Sequence, residues 1–210
     1  TAGLSVRTKS DRSPVSEADE AVEQMIRDRL GRERPGDGIV GEEFGTSGPW
    51  PRRWILDPID ATRNYVRGVP VYATLLALEE NAKLTIGVVS APVMGRRWWA
   101  TSGGGSFCNG RPIKVSPVKS VGEAFLAYDS LPDFEPFGLS QRFLDLVYAC
   151  DRSRGFGDFW AHMLVAEGAV DLAVEPRVAL WDVAAVQIIV EEAGGRFTNL
   201  AGEARPDGNS

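Results

Sequence analysis

Apolar Val22, Met25, Ile26 and Leu30 recur at helical spacing behind Ser16, which has Asp19 three residues after it. This spacing predicts a capped helix that ends at Pro35-Gly36-Asp37-Gly38. Ile39-Val40 and Trp54-Ile55-Leu56 are short apolar runs that predict strands, the first leading into Gly41-Glu42-Glu43 and the second into Asp57-Pro58-Ile59-Asp60. Both strands end in acid. Val71 to Leu78 and Leu84 to Ala91 predict a hairpin joined across residues 79–83 and buried on much of its surface. Arg96 to Thr101 and Ser106 to Val115 read as further strands, broken by the Gly103-Gly104-Gly105 turn and by Asn109-Gly110. After about Ser116 the rhythm becomes an alternation of strand and helix. Ala124 to Tyr128 and Ala169 to Val174 read as strands, with helices from Ser140, from Asp158 and from Asp182, the last closing at Gly194-Gly195. The change of rhythm predicts two subdomains, residues 1–115 and 116–210.

Composition narrows the chemistry. At 210 residues and 43% hydrophobic the chain can bury a core, and a formal charge of -6 argues against a general binder of nucleic acid or of anionic membranes. The longest uncharged stretch, Trp98 to Gly110, is Gly-rich, so no segment is expected to span a bilayer. No signal peptide is visible, and Cys108 and Cys150 form no C-x-x-C, which together predict a cytoplasmic protein. The chain has 1 histidine, His162, which removes His-rich zinc sites and H-E-x-x-H. That histidine lies on the apolar face of the helix from Asp158, where a packed role is expected over a catalytic one. Phosphate-loop, dinucleotide and hydrolase-elbow motifs are missing too. Oxygen chemistry remains.

Asp57-Pro58-Ile59-Asp60-Ala61-Thr62 carries most of it. Pro58 cannot donate to a sheet ladder, so it is expected to mark the strand's end and leave both acids on a turn. Two carboxylates with the Ile59 carbonyl between them supply hard oxygen ligands of the kind Mg2+ prefers. Ala61 and Thr62 would open a short helix whose N–H groups suit a phosphate, with Ala61 as its first residue. Alone, the segment reads first as a helix cap with a solvated acidic turn. Glu42 and Glu43 change the weighing, because they end another strand and converge on the same edge if the two strands are neighbours. Two carboxylates ~4 Å apart repel by ~4 kcal/mol at an effective dielectric near 20, so convergence implies a cation or shifted pKa values. Asp182 opens a helix that is apolar from Val183 to Val190 except at Gln187, as an N-cap or as a further ligand. Asp19 sits near the buried stripe of the first helix, where capping satisfies only part of its acceptor capacity.

In order and approximate spacing, Gly41-Glu42-Glu43, Asp57 to Thr62 and Trp181-Asp182 resemble the motifs of the magnesium-dependent inositol monophosphatase superfamily. Thr8 to Val15, Arg97 to Ala100 and Gly157-Asp158 through Glu175-Pro176 look most like its actinobacterial histidinol-phosphate phosphatases. The resemblance implies an α/β, layered αβαβα fold, usually dimeric, and a Mg2+-dependent phosphomonoesterase with two or three metals. Glu42, Asp57, the Ile59 carbonyl, Asp60 and Asp182 would be the metal ligands, with Glu43 supporting a metal or its water. Ala61 and Thr62 would offer N–H groups to phosphate, and Asp19 with Thr62 would orient and deprotonate the attacking water. Asp158 and Glu175 match positions that contact the alcohol portion of substrates, beside Asp60 and Asp182. The family has Gly where this chain has Ala61, and the chain is shorter than the family at both ends. The substrate would be a small phosphomonoester, L-histidinol phosphate or else an inositol monophosphate; a silent Mg2+- and phosphate-binding protein is the alternative of another class.

Overall fold

The computed structural model describes residues 6–8 and 14–204, so residues 9–13 of the Thr8 to Val15 segment lie outside the described residues. Two short strands, β1 (Val6–Thr8) and β2 (Pro14–Ser16), pair antiparallel and lead into α1 (Glu17–Glu33). Ser16 and Asp19 form the expected capping box: the Ser16 hydroxyl accepts from Ala18 N–H, and Asp19 Oδ2 accepts from Ser16 N–H at 2.8 Å.

The next strands are β3 (Gly38–Gly41), β4 (Gly45–Ser47) and β5 (Arg52–Asp60), followed by the short helix α2 (Thr62–Arg67). Then come β6 (Ala73–Glu80), β7 (Lys83–Ala91), β8 (Arg96–Thr101), β9 (Gly105–Cys108) and β10 (Arg111–Pro112). They form one sheet in the order β10-β9-β8-β7-β6-β5-β3-β4, in which β3 and β5 are parallel neighbours and the other pairs antiparallel. The β6–β7 turn is tighter than the spacing predicts: Asn81 and Ala82 alone connect the strands, both at positive φ (52° and 61°), the two-residue geometry that matches strand twist.

The rest of the chain alternates strand and helix, through β11 (Phe125–Tyr128), α3 (Ser140–Ala149), β12 (Arg152–Gly155), α4 (Asp158–Ala166), β13 (Leu172–Val174) and α5 (Leu180–Glu192), with β12 a strand that the sequence pattern does not predict. The three strands form a second, parallel sheet with β11 at its centre.

Alternation along the strands gives the layers. Ile55, Ala77, Leu75, Val89 and Trp98 share one buried cluster with Phe159 and Met163 of α4 and with Ala184, Ala185, Val186, Ile188, Ile189 and Val190 of α5. Gly87 lies on that face because α5 comes close: a Cβ there would sit 2.6 Å from the Ala185 carbonyl. Gly41, paired with Leu56, lies on the opposite face, where a Cβ would overlap Glu23 of α1. In the smaller sheet Leu126 joins Phe143 of α3, and its neighbour Ala127 joins Ala161 of α4. The order is therefore α1, the eight-stranded sheet, α4 with α5, the three-stranded sheet, and α3, a layered αβαβα arrangement. Burial of α5 on all sides explains why its sequence is apolar all round. Among the described residues no helix is long and apolar enough to cross a membrane.

Candidate active site

β5 does not stop at Pro58. It continues to Asp60, with Asp57 opposite Leu75 and Asp60 opposite Ala73, and the register shifts between them. The irregularity absorbs the missing N–H of Pro58, whose carbonyl accepts from the Thr74 hydroxyl at 2.8 Å. The acids are consequently not on a solvated turn: Asp57 is 2% exposed and Asp60 7%. Ala61 also differs from expectation. It is not the first residue of a helix but the residue before α2, in the left-handed region at φ 65° and ψ 44°. Its carbonyl accepts from Asn64 and Tyr65 N–H, and Thr62 begins the helix.

Carboxylate oxygens of Asp57, Asp60 and Asp182 lie within 4.8 Å of one another. Glu42 reaches them because β3 and β5 are parallel neighbours, the condition on which the convergence depended, and Glu42 N–H donates to the Leu56 carbonyl at 3.2 Å. Burial holds the Asp57 carboxyl well above the ordinary carboxylate range, and Asp60, Glu42 and Asp182 push the same way. Asp60 is also raised, by burial first and then by Asp158 and Asp182, although Phe159 N–H donates to its Oδ2 at 2.8 Å. Asp182 is the third residue of α5 and not its N-cap; its Oδ2 accepts from Ala179 N–H at 2.6 Å. Oδ1 of Asp57 is buried without a hydrogen-bond partner among the described residues. Clustered, buried and oxygen-only, with one Asp57 oxygen unpaired among the described residues, these groups fit a hard divalent cation such as Mg2+.

Thr62 Oγ1 lies 2.9 Å from the Ile59 carbonyl and 3.2 Å from Asp19 Oδ1. A hydroxyl has one proton, so it donates to one of these acceptors at a time. Asp19, fully buried, caps α1 with Oδ2 through Ser16 and faces Thr62 with Oδ1 across the start of α2. Glu43 is held through its backbone, its N–H donating to Glu23 Oε2 at 2.8 Å.

The acids extend beyond the metal-fitting trio. Asp158 heads α4 at φ 49°, a strained conformation that Asp tolerates better than most residues. Burial raises its carboxyl to about 8, helped by Asp129, Glu175 and Asp182 and opposed by Arg63. Asp129 is raised to about 6 by burial, Glu175 and Asp133, against Arg63. Glu175, after β13, has its Oε2 3.2 Å from His162 Nε2, while its Oε1 is buried without a partner among the described residues.

A family model described as the inositol monophosphatase family matches residues 2–209. The chain belongs to that family. It is 51% identical to a Streptomyces coelicolor histidinol-phosphatase, over 97% of this chain and 80% of the relative. It is similar to the solved structure of a Thermotoga maritima IMPase, with a TM-score of 0.86, 35% identity and coverage of 96% of this chain and 79% of that one. An IMPase/NADP phosphatase solved with Mg2+ and phosphate gives a TM-score of 0.85 at 25% identity, covering 97% and 77%.

In this inositol monophosphatase family member two site residues escape the sequence reading. Asp129 follows β11, and only the fold brings it beside Asp158; a Cβ on Gly157 would sit 2.5 Å from its Oδ1. Glu23 looks like one more polar residue of α1 until its contact with the Glu42–Glu43 turn is seen. His162 is buried as expected, with its ring centroid 5.4 Å from that of Phe197, but it also holds one oxygen of Glu175.

Proposed function

We propose that the chain is a Mg2+-dependent phosphomonoesterase of L-histidinol phosphate. Glu42, Asp57, the Ile59 carbonyl, Asp60 and Asp182 would hold two or three Mg2+ ions, with Glu43 in support. Bound there, Mg2+ supplies positive charge for the phosphate oxygens and the leaving alkoxide and lowers the pKa of water. The chain's own residues do the rest. Thr62 and Asp19 orient the attacking water and take its proton through the contact between their oxygens at 3.2 Å. The N–H groups at the head of α2 meet the phosphate.

The observation that carries the substrate choice is the acidity next to the metal-fitting trio. Asp129, Asp158 and Glu175 are mutually destabilising carboxylates, and Glu175 keeps one oxygen buried and unpaired among the described residues. A cationic amine relieves that repulsion through charge-assisted hydrogen bonds, whereas an inositol ring brings only neutral hydroxyls. The histidinol-phosphatase name of the Streptomyces coelicolor relative supports the same choice.

Phosphate release from histidinol phosphate and from inositol 1-phosphate, with and without Mg2+, tests the reading. Histidinol phosphate should be the faster by kcat/KM. Glu175→Gln should cost it ~1.5–3 kcal/mol of transition-state binding and cost inositol 1-phosphate less. Faster hydrolysis of inositol 1-phosphate by the unaltered chain would move the substrate to the inositol branch, and no Mg2+-dependent release from either would leave a silent binder.

A further inference from the structure

We propose that Glu23 is a positioning residue for the metal site, holding the Gly41–Glu42–Glu43 turn so that the Glu42 carboxylate stays against Asp57. This rests on the reading of the Asp57, Asp60 and Asp182 cluster as a cation site. Glu23 is a fully buried carboxylate in the middle of α1, a placement that is costly unless its oxygens are answered. They are answered from the turn. Oε2 accepts from Glu43 N–H at 2.8 Å and Oε1 from Phe44 N–H at 3.1 Å, so the carboxylate grips the two peptide units after Glu42. Arg27, one helical turn on, donates to Oε1 at 2.7 Å and extends to the Gly45 carbonyl and to Ser47 Oγ at 2.9 Å. Gly41 completes the clamp: a Cβ there would overlap the Glu23 carboxylate and sit 2.8 Å from Arg27 Nη2, so glycine is needed for close approach.

The same helix face carries Asp19, one turn earlier, against Thr62. α1 therefore fixes two edges of the site at once, the Glu42 turn through Glu23 and the head of α2 through Asp19. Glu42 has the opposite need. Its carboxylate stands beside Asp57, where like-charge repulsion and a side-chain hydrogen bond both act on the pair, and a turn free to relax would leave its position to that balance when no cation is bound. Glu23 resists that relaxation and keeps the ligand in place beforehand, which lowers the ordering cost of cation binding.

A merely structural Glu23 and a positioning Glu23 both predict lost stability, so the test reads cation affinity. Mn2+ and Mg2+ binding to the metal-stripped chain would be followed by calorimetry in the unaltered protein, Glu23→Gln and Arg53→Met. Arg53→Met unpairs buried Glu79 on the same sheet, away from the site, and serves as a control for stability alone. Glu23→Gln should bind cation about tenfold more weakly or worse, the scale for residues that support a metal ligand from behind. Arg53→Met should lower the melting temperature and leave affinity within about twofold. Should Glu23→Gln fail to fold, Arg27→Lys keeps the charge but loosens the grip on residues 45–47, and it should weaken binding in the same direction by less. Unchanged affinity in a folded Glu23→Gln, or in Arg27→Lys where that variant takes its place, beside an unaltered chain that binds, overturns the proposal alone. An unaltered chain that takes up no cation overturns the metal reading and this proposal with it.

Discussion

The two ends of β5 bury carboxylates in opposite ways. At one end Arg53 lies opposite Glu79 of β6 and forks onto it, Nε to Oε1 at 3.1 Å and Nη2 to Oε2 at 3.2 Å, so Glu79 is buried with a matched cation. At the other end Asp57 and Asp60 are as well buried, but their neighbours are Asp182, Glu42 and Asp158. A bidentate pair of that kind is a finished structural unit. A cluster of like charges is destabilising in itself and is kept only where something else is to bind. One strand thus separates stability from function along its length.

The largest expected effect is a reversal between these ends. Asp57→Asn or Asp60→Asn should lower turnover about a hundredfold or more, because each removes a charged ligand. The metal-free protein should melt no lower, and higher if repulsion dominates. Glu79→Gln should do the converse, losing about 1–3 kcal/mol of stability while turnover stays near that of the unaltered chain. Paired thermal melts in chelator and assays at saturating Mg2+ check this. Near-normal activity in either Asn variant would remove the distinction.

Asp19 and Thr62 sharpen the comparison, since Asp19 belongs to both classes. It is satisfied at Oδ2 by Ser16 and engaged at Oδ1 with Thr62. Thr62→Val should lower kcat by about a hundredfold with little change in stability, and Thr62→Ser should retain much more. Asp19→Asn should show the kcat loss together with about 1 kcal/mol of lost capping. An Asp19→Asn variant that loses stability and keeps its kcat would make Asp19 a structural residue only.

Legibility in the sequence follows the distance over which a residue acts. Glu42, Asp57, Asp60 and Asp182 stand in short motifs at the ends of elements, where local pattern places them. Pro58 misleads because its missing donor is absorbed by a register shift against β6, which depends on a partner strand. Glu23 and Asp129 are invisible because their surroundings come from elsewhere in the chain: the Glu42 turn for one, α4 and Glu175 for the other. The layers were readable as elements, but that α4 and α5 lie between the two sheets follows from packing alone.

The extra acids also carry a pH signature. In the folded chain Asp129 is raised to about 6 and Asp158 to about 8, from an ordinary 3.8. Between 3.8 and those values the native state keeps protons that the unfolded chain has lost, so stability of the metal-free protein should fall as pH rises through that window. Melting temperatures in chelator should decline from about pH 4 to about pH 8. Asp129→Asn should make the decline shallower below about pH 6 and, by removing one cause of the Asp158 shift, bring its upper end to lower pH. A flat profile in the unaltered chain would mean that these carboxylates are already relieved without a ligand.

The smallest effect concerns Ala61, at the junction of the acidic end and α2. At φ 65° a methyl group is strained whatever space surrounds it, so alanine here is a local concession at the site. Ala61→Gly removes that strain and should stabilise the chain by up to about 1 kcal/mol, less the entropy that glycine returns to the unfolded state. The backbone geometry that aims the head of α2 is already adopted, so kcat/KM should change by less than about tenfold, or ~1.4 kcal/mol. A gain of several hundredfold would show that the methyl obstructs the phosphate, and the acidic end of β5 would then be a cation site whose chemistry this chain has partly given up.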